Sequence, residues 1–401
     1  MLDLTKLASQ MQGISQHLAT ESTATRQRLD HGEELMLLAQ QWQGELVGRQ
    51  AQWRDRLLFT AGVPVENLTT RREINPAPSA HTVLATDGSQ IAPSHHEIAY
   101  CYLINIGRII LHYGQSKLPL LDSLPEVFYR AEDLYVSRQW GIRTEEWLGY
   151  CRTAGETTVL AELAEAVRPL GDLPMWENAT PTIAMTDGSL IYWFLEPLPV
   201  EARNRILEPI IAAWDKLRDL KVPIVGYISA SRSSESINFL RFQTCPYQVP
   251  DCMTHCQNLR DKAPCQVLEP LRDTAIWNRL LKPGERSPLW RSSARIQEFY
   301  GDDHRVHFCY LHVGSEVARV EVPEWVVEDG DLVDRTMALI IAQVEKGYGY
   351  PVALAEAHNQ AVVRGGDRSR FFSLLEQEMI KAGLRNVGTS YKEARKRGSI
   401  A

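Results

Sequence analysis

The phrase Thr86-Asp87-Gly88-Ser89 returns as Thr186-Asp187-Gly188-Ser189 about a hundred residues later. Each copy follows an apolar run of strand character, Thr82-Val83-Leu84-Ala85 in the first and Thr182-Ile183-Ala184-Met185 in the second. A carboxylate at the end of a core strand is costly beside a hydrophobic interior unless something pairs with it. One Asp-Gly-Ser can be a turn closed through its own backbone. Two copies in matching contexts predict a shared carboxylate site suited to a divalent cation. Gly88 and Gly188 are expected to turn the backbone away sharply. Because different elements follow the two copies, they read as two strand ends meeting at one site, not as halves of a duplicated domain.

The remaining pattern sets the fold class. Leu7, Met11, Ile14 and Leu18, then Leu35, Leu38, Trp42 and Leu46, recur at helical spacing and predict a helical hairpin within an N-terminal region, 1–75. After Pro76-Ala77-Pro78 come strand-like runs at Thr82–Thr86, Glu97–Ile106 and Arg108–Tyr113, with Asn105-Ile106-Gly107 read as the break between the last two. A helix over 145–167 precedes the strand into Asp187, and a helix at 201–220 precedes a strand at 223–229. Strands near 305–313 and 316–322 lead to helices at 329–346 and from Pro351. This order predicts an α/β fold, a mixed sheet flanked by helices. The main domain spans 76–385, with a Cys- and Pro-rich insertion at 244–266 and a basic tail at 386–401.

A formal charge of −7 means that any nucleic-acid surface must be a local basic patch on an acidic background. No apolar stretch reaches the roughly 18 residues of a membrane span, and Met1-Leu2-Asp3-Leu4-Thr5-Lys6 lacks signal-peptide organisation. Seven scattered cysteines do not form a secreted disulfide framework. A cytoplasmic protein is expected.

A third acid is sought on the helix between the aspartates. Its apolar stripe is Val159, Leu160, Leu163 and Val167, and Glu156 falls inside it while Glu162 lies on its border. An acid on a core-facing stripe must be paired or bound to metal. Arg152, one turn earlier, is the alternative partner. In Tyr350-Pro351-Val352-Ala353-Leu354-Ala355-Glu356-Ala357-His358, His358 is either a structural histidine or, beside a carboxylate cluster, a metal ligand or proton shuttle.

Cys245, Cys252, Cys256 and Cys265, with His255 among them, are separated by six, three and eight residues, unlike a common zinc ribbon. Four cysteines in 21 residues suggest a Zn²⁺ or Fe–S site, against the alternative of loop thiols. Arg232, within Ser229-Ala230-Ser231-Arg232-Ser233-Ser234, and Arg364 and Arg368, in a basic run expected to be flexible, are candidate phosphate contacts.

Together these residues resemble the NurA nucleases. Carrying the resemblance are the paired Asp-Gly-Ser turns, the helical Glu between them, Arg286 in Lys282-Pro283-Gly284-Glu285-Arg286-Ser287, Arg319-Val320-Glu321-Val322-Pro323 and the closing Tyr-Pro…Ala-His, over roughly 80–375. The resemblance implies an RNase H-like fold and Mn²⁺-dependent (or Mg²⁺-dependent) chemistry. It implies 5′-to-3′ exonuclease and single-strand endonuclease activity in processing DNA double-strand breaks. It further implies a homodimer working with a HerA-type hexameric ATPase. Asp87 and Asp187 match the family's catalytic aspartates and His358 its histidine, while Glu156 or Glu162 takes the glutamate slot. The family's site tyrosine has Tyr227 and Tyr310 as candidates. An RNase or other phosphodiesterase, or a non-catalytic partner of a DNA motor, are the rival expectations.

Overall fold

In the computed structural model, residues 3–93, 99–168, 180–259 and 262–383 are described. The chain divides into two compact units, one of 76–226 with 325–401 and one of 1–75 with 227–324. Among the described residues no helix is long and apolar enough to cross a membrane.

The first unit is built on four neighbouring strands, in the order Leu120–Phe128, Tyr102–Tyr113, His81–Ile91 and Thr182–Asp187. The first three form an antiparallel meander, and the fourth runs parallel to His81–Ile91. A parallel neighbour requires a crossover, which the helix Thr144–Val167 supplies. That helix and the helix Val352–Ala361 both pack against His81–Ile91 and Tyr102–Tyr113. Side chains alternate along a strand, so the two helices can draw on different residues of the same few positions.

That alternation explains Gly107. The chain does not break there; Tyr102–Tyr113 runs straight through it, with Gly107 opposite Asp87. A Cβ at Gly107 would lie 2.3 Å from the Ala357 carbonyl oxygen and 2.7 Å from the Ala361 nitrogen. Its glycine therefore marks the close approach of the Val352–Ala361 helix, not a turn. The same helix is pinned at its end, where Asn105 Nδ2 donates to Ala361 O at 2.7 Å and the Ser89 hydroxyl donates to the same oxygen. These bonds satisfy a carbonyl that a helix end leaves open.

The basic run after this helix is helical as well: Gly365–Lys381 forms a helix rather than a flexible loop. Asp367 accepts the Arg364 N–H, and Phe372 is buried with Ile91 and Leu103. A local cap and one buried aromatic thus override the Gly-Gly start.

The second unit holds the N-terminal region and an aromatic core around Trp277, Trp290, Phe308 and Tyr310. In place of a hairpin, the chain forms one long helix, Leu4–Gln41, followed by Gln43–Trp53. Leu35, Met36, Ala39 and Leu46 join the core, whereas Leu4, Met11, Ile14 and Leu18 are exposed. An apolar repeat without a folding partner is not drawn back on itself. The strands Val306–His312 and Val317–Pro323 pair antiparallel. Between them and their surroundings, Arg319 is buried against Glu235 (2.8 Å) and Glu321 (2.7 Å), with its guanidinium over Phe308. Arg286 grips Glu66 with two bonds, at 2.6 and 2.9 Å. Both arginines are therefore satisfied by carboxylates, as buried charges must be.

Candidate active site

The four residues Thr86-Asp87-Gly88-Ser89 serve two helices in alternation. The Thr86 hydroxyl donates to the Glu156 carbonyl at 3.0 Å. Asp87 meets His358, with Oδ2 2.8 Å from Nδ1. Gly88 leaves space for Glu156: a Cβ there would lie 2.3 Å from Glu156 Oε1. Ser89 then returns to the His358 helix through the Ala361 carbonyl. Even positions thus face the Glu156 helix and odd positions the His358 helix, as strand geometry dictates.

The two Asp-Gly-Ser copies differ in their backbones. The first is not a strand end, because His81–Ile91 continues past it while pairing with Tyr102–Tyr113 as far as Ile91 opposite Leu103. The second does end its strand at Asp187, and Gly188 takes φ +125°, a conformation that favours glycine. Parallel register places Thr86 beside Thr186, so the two aspartates follow one another on adjacent strands. Gly88 is there for steric room and Gly188 for conformational freedom.

Glu156, on the core-facing stripe, has a side chain 16% exposed and an ion pair with Arg152 at 3.2 Å. Both sequence-level alternatives are therefore present at once: it is paired with Arg152, and it is electrostatically coupled to both aspartates. Burial first pushes its carboxyl up; Arg152 pulls it back, and the Asp87 and Asp187 charges push again, leaving it at about 7. Glu162 is exposed, and Glu165 pairs with Lys216 at 3.1 Å. Asp187 is also raised, first by desolvation and then by Asp87, while the Tyr350 hydroxyl donates to it and holds it down.

Tyr350 is the residue that sequence reasoning missed. Both strand tyrosines belong to the other unit: Tyr227 donates to Glu316 at 3.1 Å, and Tyr310 is fully buried and donates to Asp273 at 2.6 Å. The available signal was position, since Tyr350 directly precedes Pro351 at the start of the His358 helix.

A carboxylate only accepts, so a neutral His358 donates from Nδ1 to Asp87 and leaves Nε2 to accept. With its side chain 66% exposed, the ring is open to a ligand. The three carboxylates supply the hard oxygen donors that Mg²⁺ or Mn²⁺ takes, with the imidazole beside them. Their mutual repulsion is what a divalent ion would relieve, so the residues fit such an ion. Among the described residues no three His, Cys, Asp or Glu side chains already stand as a metal cage; Asp87 and Glu156 hold His358 and Arg152 instead.

Metal-free protein should lose stability with rising pH on account of Glu156. Its folded pKa of about 7 exceeds the ordinary 4.5, so the folded state binds more protons between those values. The contribution is full below about 4.5 and is lost as pH rises through about 7. Urea unfolding in EDTA at pH 5 and pH 8 should show Glu156→Gln flattening this slope by roughly 2 kcal/mol. An unaltered slope would place the titration elsewhere.

Of the other candidates, Arg364 and Arg368 are exposed in the same unit, and Arg368 lies over Phe372. Arg232 is exposed in the other unit, where its neighbours Ser229 and Ser233 bond Glu316 and Arg319. Cys245, Cys252, Cys256 and Cys265 are all free thiols and belong to that other unit. The tail 386–401 lies outside the described residues.

Comparison with curated proteins finds no match. The crystal structure of the NurA nuclease from Sulfolobus solfataricus is similar, with a TM-score of 0.51 at 12% identity over 95% of this chain and 98% of that one. At that identity the likeness is one of fold. The family model described as NurA domain matches residues 81–363, a span that takes in Asp87, Glu156, Asp187, Tyr350 and His358. With most of its length matched, the chain belongs to the NurA domain family.

Proposed function

We propose that this chain is a metal-dependent DNA nuclease that processes the ends of double-strand breaks. The observation that carries the proposal is the coupled set Asp87, Glu156 and Asp187, with His358 on one aspartate and Tyr350 on the other. Family membership and the nuclease named for the similar solved structure support it. The strand order, an antiparallel meander followed by a parallel strand after a helical crossover, supports the RNase H-like reading.

Asp87, Asp187 and Glu156 would hold Mn²⁺ or Mg²⁺. When bound, such an ion activates water and neutralises charge on the phosphate. Glu156 gives up its proton to bind, which favours loading above neutral pH. His358, oriented by Asp87, presents Nε2 to take or return a proton at the reacting phosphate. Tyr350 fixes the Asp187 carboxylate, and Arg152 is the nearby cation that a metal would free from Glu156. Arg364 and Arg368 are proposed to hold the DNA backbone, with Arg232 a further candidate. The activities proposed are 5′-to-3′ exonuclease and single-strand endonuclease. The proposed working form is a cytoplasmic homodimer fed by a HerA-type hexameric ATPase.

The test is cleavage of single- and double-stranded DNA and RNA with Mn²⁺, Mg²⁺ or EDTA. DNA degradation that EDTA abolishes is expected. Degradation of RNA alone would turn the reading to an RNase, and no cleavage with either metal would leave a non-catalytic partner of a motor. Within an active enzyme, His358→Ala should slow cleavage about 10²-fold. Because the ring is exposed, stability should change by less than about 0.5 kcal/mol. A full-speed variant would remove His358 from the chemistry.

A further inference from the structure

Among its described residues, the Cys- and Pro-rich segment 245–265 has one helical turn, Cys252–His255. Burial holds only part of it: Pro250, Cys252 and Cys265 are buried, while Val249 and Leu259 remain exposed. Yet its four cysteines converge. Cys245, Cys252, Cys256 and Cys265 line one cavity of about 10 Å³, room for roughly one water-sized sphere. His255 stacks on Tyr247 and is not among the lining residues.

The surroundings aim at the sulfurs. Asp251 caps the helical turn and is fixed by Arg56 through bonds of 3.0 and 2.8 Å. Cys252 and Cys256, one turn apart, therefore present their thiols on one side. Arg241 Nε donates to Cys265 Sγ at 3.4 Å, and the Leu58 N–H donates to Cys252. Such N–H donors to sulfur are the outer support that metal-bound thiolates take.

We infer that Cys245, Cys252, Cys256 and Cys265 form a four-thiolate site for a thiophilic metal centre that staples this segment. The ligand chemistry is shared by a zinc ion and an iron–sulfur cluster. Since no three ligands among the described residues are yet at caging distance, binding draws the thiols inward. Folding energy then comes from the metal where the apolar residues do not supply it. The assignment is independent of the nuclease chemistry.

The full chain, purified anaerobically without chelator, should carry about one equivalent of zinc, or iron with acid-labile sulfide and visible absorption. Either result supports the site, and the elemental analysis says which metal centre it is. In Cys252→Ser/Cys265→Ser the bound metal should fall at least roughly tenfold, while Cys101→Ser/Cys151→Ser keeps it. Should the first variant fail to fold, titrating the wild-type thiols with a mercurial should release the metal in step with these four cysteines. Metal retained in the Cys252/Cys265 variant, or none bound even after reconstitution with zinc or with iron and sulfide, overturns the assignment. A disulfide among the four in the anaerobic protein does so too.

Discussion

Asp87→Asn and Asp187→Asn each lower Mn²⁺-dependent cleavage of linear DNA by at least roughly 10³-fold, about 4 kcal/mol of transition-state stabilisation. The loss comes without unfolding. Asparagine at 87 keeps an oxygen for the Gly88 N–H, which Asp87 Oδ1 accepts at 2.8 Å. At 187 the change removes a charge that desolvation and Asp87 already oppose, so thermal stability should be unchanged or slightly higher. Function held at some cost in stability is what an acid cluster predicts. Two measurements separate the explanations: cleavage rate, and Mn²⁺ affinity by calorimetry. If either variant cuts at the wild-type rate, that aspartate is not in the site's chemistry. If both lose activity only because they melt early, the acids are structural.

Gly107→Ala should be the most damaging substitution away from the acids. The new methyl group meets backbone atoms, Ala357 O at 2.3 Å and Ala361 N at 2.7 Å, so no rotamer change can relieve it. The helix must retreat, and its end bonds to Asn105 and Ser89 must lengthen or break. Overpacking of this kind costs about 1–3 kcal/mol. His358 rides on that helix, and a displacement near 1 Å is worth about 10²-fold in rate. Gly149→Ala is the control: nothing lies within 4 Å of its Cβ, it sits in the helix Thr144–Val167, and it should gain up to about 1 kcal/mol. A Gly107→Ala enzyme with wild-type rate and melting temperature would show that strand-to-helix contact does not position His358.

Residue order alone made the acids legible. An Asp following a β-branched apolar run has no inexpensive place to go, and the repetition of Thr-Asp-Gly-Ser weighed against an accidental turn. Helical periodicity likewise put Glu156 on the inward stripe and Glu162 at its border, because a 100° step per residue is a property of the backbone. The structure agrees, with Glu156 beside Gly88 and Glu162 exposed. Local signals failed where a distant segment supplied the reason. Gly107 looked like a break and is a contact with a helix some 250 residues on. Arg364–Arg370 looked like a loop, and its helix rests on burial of Phe372 against Ile91 and Leu103. Tyr350 was passed over for tyrosines on strands, whose buried hydroxyls belong to other partners.

What the sequence by itself determined is the inventory: two aspartates at core strands, one inward glutamate, one histidine helix and four clustered cysteines. These follow from covalent order, helical and strand periods, and the cost of burying charge. What only the tertiary structure decided is how one motif serves two helices. Thr86 and Gly88 face Glu156, Asp87 and Ser89 face the His358 helix, and Tyr350 closes on Asp187. That assignment depends on which elements flank the strand, and a strand's alternation specifies two faces without saying what will cover either.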